Sequence, residues 1–187
     1  MHVLRDEVDA ILVGSGTVIA DNPSLNVRHI EGQDPLRVVL DSHLRTPLDA
    51  RLYSEELAQG TMVFCVEPDI EKQQALESKG VKVVKVQADS NGRVELRAVL
   101  AHLHELGCLQ LLVEGGGYIH GAFFREKLVD VLYYVLTPWL LGQDGLDAFR
   151  IPGVDALRDS IHFHSLTAES IGPDLLIKAR PDWSYEG

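Results

Sequence analysis

Basic residues are scarce in this chain: 17 Lys and Arg stand against 28 Asp and Glu among 187 residues, a net charge of −11. A nucleic-acid role therefore has no electrostatic support, since phosphate-backbone binding is built from surface cations. An acidic protein can still hold a phosphorylated small molecule if a few arginines are placed locally. Cysteine is scarcer still, with 2 in the chain. Cys65 sits in an apolar strand-like run and Cys108 between a helix and a strand. That pattern gives neither a disulfide framework nor a metal-ligand spacing. Read as buried free thiols, the two cysteines point to a cytoplasmic protein. No apolar run approaches the ~18 residues a membrane helix needs. The opening Met1-His-Val-Leu-Arg-Asp-Glu7 lacks the basic start and long apolar stretch of a signal peptide. H-E-x-x-H, nucleophile-elbow and Walker sequences are all missing. The 8 histidines do not make up for this. His102 and His104 are two apart on a helix and do not share a face. His162 and His164 share a strand face without a third ligand. No metal is expected, and the histidines are placed mostly on the surface. With no repeat, low-complexity tract or linker, residues 1–187 read as one domain.

What is present alternates. At 45% hydrophobic and 24% charged, the composition is that of an ordinary soluble domain. Val8–Val13, Pro35–Asp41, Thr61–Val66, Val81–Val86 and Leu109–Val113 read as strands. Ile70–Lys79, closed by Gly80, and Val94–Leu106, closed by Gly107, read as helices. Strands alternating with helices predict a largely parallel sheet covered on both faces. Val129–Leu136, rich in β-branched and aromatic residues, reads as a further strand. It is apolar on both alternating faces, as a buried central strand or a dimer surface would be. Ile161–Leu166 and Asp174–Arg180 add an antiparallel pair.

One stretch organises the rest. Leu109-Gln-Leu-Leu-Val113 leads through Glu114 and three glycines into a helix start beginning Tyr118-Ile-His-Gly-Ala122. Glycines at such a turn let a ligand approach the backbone, and a helix start favours phosphate. Glu114 falls at the carboxyl end of the strand, where open α/β sheets place their ligands. Gly14-Ser-Gly-Thr17 is a second turn of this kind, with Arg28 shortly after it. Two Gly-rich turns, one carboxylate and scattered arginines suggest a phosphate-bearing cofactor and little covalent chemistry by the protein itself.

Three motifs carry a resemblance. Asp9-Ala-Ile-Leu-Val-Gly-Ser-Gly-Thr-Val-Ile-Ala-Asp-Asn-Pro-Ser-Leu-Asn-Val-Arg28, Pro35-Leu-Arg-Val-Val-Leu-Asp-Ser42 and Val113-Glu-Gly-Gly-Gly117 occur in order and in matching contexts. Together they resemble the reductase domain of bacterial bifunctional riboflavin-biosynthesis deaminase-reductases, over nearly the whole chain. The resemblance implies a dihydrofolate-reductase-like three-layer α/β fold, with a mostly parallel mixed sheet and a C-terminal antiparallel hairpin. It implies NADPH as cofactor, a cytoplasmic homodimer, and reduction of the ribosyl group of 5-amino-6-(5-phosphoribosylamino)uracil to the ribitylamino product. Thr17, Asp21, Ser42, Gly116, Gly117, Tyr118, Ile119, His120, Gly121 and Ala122 match cofactor-contacting positions. Arg5, Leu25, Arg28 and Glu114 match substrate-contacting positions, and Glu114 is the catalytic candidate.

The chain also departs from the family pattern. The strand and loop that precede the Val3-Leu-Arg5 stretch in the family, with a lysine and small residues lining the sites, are not matched. The domain therefore reads as N-terminally truncated relative to the family. The zinc-bearing deaminase domain is not matched either, so no deamination is expected. Tyr118 and His120 are bulkier than the loop pattern leads one to expect. The alternative reading is a non-catalytic nucleotide-binding or scaffold remnant of the same family.

Overall fold

The computed structural model describes residues 2–27, 32–140, 142, 145–154 and 160–184. The chain divides into two compact units, Met1–Gly116 and Gly117–Gly187. In the first unit, α1 (His2–Asp6), β1 (Ala10–Gly14) and α2 (Ser15–Asp21) are followed by β2 (Leu36–Leu40) and β3 (Thr61–Cys65). Then come α3 (Ile70–Ser78), β4 (Lys82–Lys85), α4 (Leu96–Glu105) and β5 (Leu111–Val113). The strands form one sheet in the order β4-β3-β2-β1-β5, and every pairing is parallel.

Burial on both faces explains the uninterrupted apolar runs. Successive strand side chains go to opposite faces. Ile11, Val13, Val39, Val63 and Cys65 join Leu76 of α3 in one cluster. The alternate positions Leu12, Val38, Leu40, Met62 and Phe64 are buried as well, with His102 of α4 edge-on to Phe64 at 5.5 Å. The helices begin where side chains cap them. Asp69 accepts from the Lys72 N–H at 3.0 Å, and Glu95 from the Ala98 N–H at 3.2 Å. Gly80 and Gly107, at φ +94° and +87°, end α3 and α4 in the left-handed conformation that glycine adopts without a Cβ penalty. Asp9, just before β1, clamps β1 to β5 at their entry. Its carboxylate accepts from the N–H groups of Leu109 and Gln110 at 2.8 and 2.9 Å. The Gln110 and Leu109 bonds, in that order, hold it below the usual carboxylate range.

The second unit contains α5 (Gly117–Arg125), β6 (Leu132–Leu136), β7 (Phe163–Ile171) and β8 (Asp174–Pro181). The strands make a three-stranded antiparallel sheet in the order β6-β8-β7. Ile171 pairs with Asp174 across the Gly172-Pro173 turn, so the expected C-terminal hairpin is present. Phe124 of α5 gathers Phe149, Phe163 and Trp183 around it, with ring centroids 5.4, 6.2 and 6.3 Å away.

Two expectations are corrected here. The Val129–Leu136 run is not a central strand: only Leu132–Leu136 is extended, at a sheet edge. Tyr133, Tyr134, Val135 and Leu136 remain 37–48% exposed, because a both-faces-apolar run does not say which neighbours cover it. The thiols also differ from each other, with Cys65 buried and Cys108 half-buried. Burial pushes both thiols up from their ordinary pKa, as expected of cysteines that serve packing. Among the described residues no helix is long and apolar enough to cross a membrane.

Candidate functional site

The strand order locates the site. From β1 the chain moves outward through β2, β3 and β4, then returns to place β5 on the other side of β1. The switch point is therefore between β1 and β5, and open α/β sheets bind their ligands beyond the carboxyl ends of the strands at such a point. At the end of β1 the chain turns straight into α2 through Ser15, Gly16 and Thr17. At the end of β5, Glu114 continues the ladder by donating its N–H to the Leu12 carbonyl at 2.9 Å. A Cβ placed on Gly116 would meet Thr17 Oγ1 at 3.9 Å, and one on Gly16 would meet nothing within 4 Å. Both glycines open onto space that a ligand can fill.

Glu114 is held rather than free. Arg5 Nε donates to its Oε1 at 2.9 Å and Arg5 Nη2 to its Oε2 at 2.7 Å. Only 12% and 13% of the two side chains is exposed. The planar guanidinium fork suits a carboxylate bidentately. Arg5 also donates through Nη1 to the Asn26 carbonyl at 3.1 Å, so it ties α1, the loop after α2 and the end of β5 together. Two substrate positions nominated from sequence, 109 residues apart, thus meet. Leu25 lies in the same loop at φ +52°, with its side chain buried in the core. Only its backbone is left to face a ligand. Arg28 lies outside the described residues. Thr17 and Asp21 are one helical turn apart on α2 and share a face. Thr17 is half-buried and Asp21 exposed. Ser42 Oγ accepts from the Val94 N–H at 3.2 Å, which leaves its O–H able to donate.

Residues 117–122 belong to the second unit, where the glycine reading changes. A Cβ on Gly117 would collide with the Asp147 carbonyl, and one on Gly121 with that of Arg150. These glycines, one turn apart on α5, admit the chain's own 147–150 backbone. The Arg150 N–H donates to the Gly117 carbonyl at 2.8 Å, and His120 Nδ1 lies 3.0 Å from the Ala148 carbonyl oxygen. The Arg150 guanidinium lies 4.5 Å from the centre of the Tyr118 ring. Tyr118 is 57% exposed, so its bulk does not crowd the turn. A cavity of about 270 Å³ in this unit is lined by Phe124, Phe149, Phe163 and aliphatic side chains. It contains none of the nominated contacts. Among the described residues no three His, Cys, Asp or Glu side chains converge as a metal site.

Sequence reading missed Arg45, which donates from Nη2 to Ser15 Oγ at 3.0 Å and so bridges the ends of β2 and β1. It also missed Asn26, whose carbonyl steadies Arg5. The Gly-x-x-x-Gly spacing of 117 and 121 was the available signal for the 147–150 contact.

An open parallel sheet with a hydroxyl, two unobstructed glycines and a guanidinium–carboxylate pair beyond its switch point defines an α/β protein with a candidate site for a polar small molecule. A model of the RibD C-terminal domain matches residues 1–177, and the chain belongs to that family. It is 41% identical over 151 residues to the riboflavin biosynthesis protein RibD of Chlamydia muridarum, covering 79% of this chain and 40% of the relative. It is 32% identical over 184 residues to the 2,5-diamino-6-ribosylamino-4(3H)-pyrimidinone 5′-phosphate reductase of Methanothermobacter thermautotrophicus, covering 95% and 82%. Among solved structures, Acinetobacter baumannii RibD superposes with a TM-score of 0.83 at 27% identity, over 97% of this chain and 49% of that one. The dihydrofolate-reductase-like fold is therefore as the resemblance implied. The chain spans 40–49% of the length of the RibD relatives from Chlamydia and Bacillus amyloliquefaciens.

Proposed function

We propose that this chain is an NADPH-dependent reductase of the riboflavin pathway. It would reduce the ribosyl group of a phosphoribosylaminopyrimidine, 5-amino-6-(5-phosphoribosylamino)uracil or its 2,5-diamino counterpart, to the ribityl product. The observation that carries the reading is the Arg5–Glu114 pair at the switch point, beside Thr17 and the open Gly116. The cofactor supplies the hydride when bound, and the protein supplies orientation and electrostatics. Glu114, fixed by Arg5, presents its remaining lone pairs to substrate hydroxyls. Arg5, with two of its nitrogens on Glu114, keeps that carboxylate from swinging. Arg28 carries a second positive charge suited to the substrate phosphate. Thr17, Asp21, Ser42 and Gly116 are the first unit's cofactor contacts. Open space at Gly16 and Gly116 is what a dinucleotide backbone requires.

Fluorescence titration of NADPH into the full chain and into Gly116→Asp tests the cofactor half of the reading. Binding that the variant abolishes supports it. An unresponsive parent chain overturns it and leaves the scaffold alternative. Formation of the ribitylamino product from the phosphoribosylaminopyrimidine tests the substrate half. A homodimer acting in the cytoplasm completes the proposal, and elution near the 20.7 kDa of one chain would remove the dimer.

A further inference from the structure

Three asparagines occur in the chain, at positions 22, 26 and 91, and their surroundings differ. An asparagine side chain is attacked most readily by the backbone nitrogen of the residue that follows it. After Asn22, Pro23 has no N–H to offer. After Asn26, Val27 is β-branched, and its N–H is committed to Asp34 Oδ1 at 2.8 Å. After Asn91, Gly92 has no Cβ to obstruct the approach, and both residues are exposed. They sit between β4 and α4 in a turn that Asp89 organises. Gly92 donates its N–H to the Asp89 carbonyl at 3.0 Å. Asn91 donates its N–H to Asp89 Oδ1 at 2.8 Å, and its Nδ2 reaches Oδ2 at 3.5 Å. The Arg93 N–H donates to the same carboxylate at 2.9 Å. Burial opposes the charge on Asp89, yet the Arg93 and Asn91 donors hold its pKa below the usual carboxylate range. Asp89 therefore restrains both groups that would react.

We infer that Asn91 is a site of spontaneous deamidation, metered by opening of the Asp89 turn. Exposed turns of this kind lie at the low-stability end of a fold. In the opened turn the Gly92 nitrogen gives up its proton and bonds to Asn91 Cγ. The Cγ–Nδ2 bond breaks, and the amide nitrogen leaves with a proton as ammonia, closing a succinimide ring. Water then opens the ring. Cleavage between Cγ and the Gly92 nitrogen gives an aspartyl residue. Cleavage of the original peptide bond gives an isoaspartyl linkage, with one extra methylene in the main chain. Nothing is oxidised or reduced. Either product sets a carboxylate where the amide donor faced Asp89, so attraction becomes like-charge repulsion. The turn supports more than itself. The Asp89 N–H donates to the Arg93 carbonyl at 2.7 Å, and Ala88 and Val94 form an antiparallel bridge. The Val94 N–H donates to Ser42 Oγ at 3.2 Å. The modification thereby reaches Ser42, a cofactor position of the proposed function, although it does not rest on that reading.

The full chain is aged at mildly alkaline pH, and each asparagine is followed by proteolytic digestion and mass spectrometry, with enzymatic isoaspartyl methylation as a second readout. Asn91 is expected to convert well ahead of Asn22 and Asn26. Gly92→Ala, whose Cβ meets nothing within 4 Å, should slow the conversion sharply. Asp89→Ala removes the carboxylate that holds Asn91 and should speed it by about 3- to 10-fold, the effect of one lost hydrogen bond. Far-UV circular dichroism checks that both variants stay folded. In the aged chain and in Asn91→Asp, the Val94 N–H should exchange with solvent faster than in the parent. An Asn91 that converts no faster than Asn22 or Asn26 overturns the site. Conversion that Asp89→Ala leaves unchanged overturns the metering by the turn.

Discussion

Removing Glu114 is the perturbation that asks most of the proposed site. Its carboxylate and the Arg5 guanidinium meet through two bonds of 2.9 and 2.7 Å, with 12% and 13% of the side chains exposed. Alanine at 114 would leave a largely buried guanidinium with one remaining hydrogen-bond partner among the described residues, the Asn26 carbonyl. Breaking a buried pair costs about 3–5 kcal/mol, and the residual exposure here lowers the expectation to about 2–4 kcal/mol. Glutamine keeps the shape and one acceptor but loses the charge, which predicts a loss of about 1–2 kcal/mol. With a urea m-value of about 2 kcal/mol/M, the alanine variant should unfold about 1–2 M earlier. Far-UV circular dichroism is the right probe, because both tryptophans, Trp139 and Trp183, belong to the second unit. A double-mutant cycle with Arg5→Met should show coupling of about 1–3 kcal/mol. Glu114→Gln should also lower kcat/KM by more than its modest destabilisation explains. Single variants that unfold within about 0.3 M of the parent, and add without coupling, would refute the claim that this pair organises the site.

The two kinds of glycine should separate cleanly. Gly121→Ala drives a Cβ into the Arg150 carbonyl and should destabilise the second unit by about 1–3 kcal/mol, read by tryptophan fluorescence. Gly116→Ala, with only Thr17 Oγ1 at 3.9 Å, should leave the unfolding midpoint unchanged and weaken NADPH binding. Tyr53 is buried, with its hydroxyl 2.8 Å from Thr46 Oγ1, and burial pushes its pKa up to about 12. The unfolded chain releases this proton near pH 10 and the folded chain does not, so stability should fall as pH rises from 10 to 12, by about 2–3 kcal/mol. Tyr53→Phe should flatten that alkaline limb; an unchanged slope would exclude Tyr53 as its source. The backbone bonds that depress Asp9 contribute stability above the unfolded carboxylate's pKa, about 4, that is lost as pH falls through the lower folded value. Asp9→Asn should therefore show a shallower acid transition in a pH titration followed by circular dichroism.

Some of this was written into the sequence. Runs such as Val8–Val13 and Thr61–Val66, separated by helices closed at Gly80 and Gly107, specify parallel strands buried on both faces. Local chemistry sets those elements: apolar period, capping carboxylates, and glycines at positive φ. Glu114 at a strand end before three glycines was likewise legible, because sheet topology puts ligands at such ends. Tertiary structure alone decided the partners. Nothing near Arg5 in the chain says that its guanidinium will meet Glu114, nor does Arg45 announce that it will reach Ser15. The same limit hid the 147–150 backbone that packs against Gly117 and Gly121. It also left Val129–Leu136 open between a buried central strand and a dimer surface, and β6 lies at the edge of its three-stranded sheet. A sequence records what each residue prefers to be surrounded by. Which distant group supplies those surroundings is settled only when the chain closes on itself, since pairs far apart in sequence become neighbours through packing that no local preference encodes.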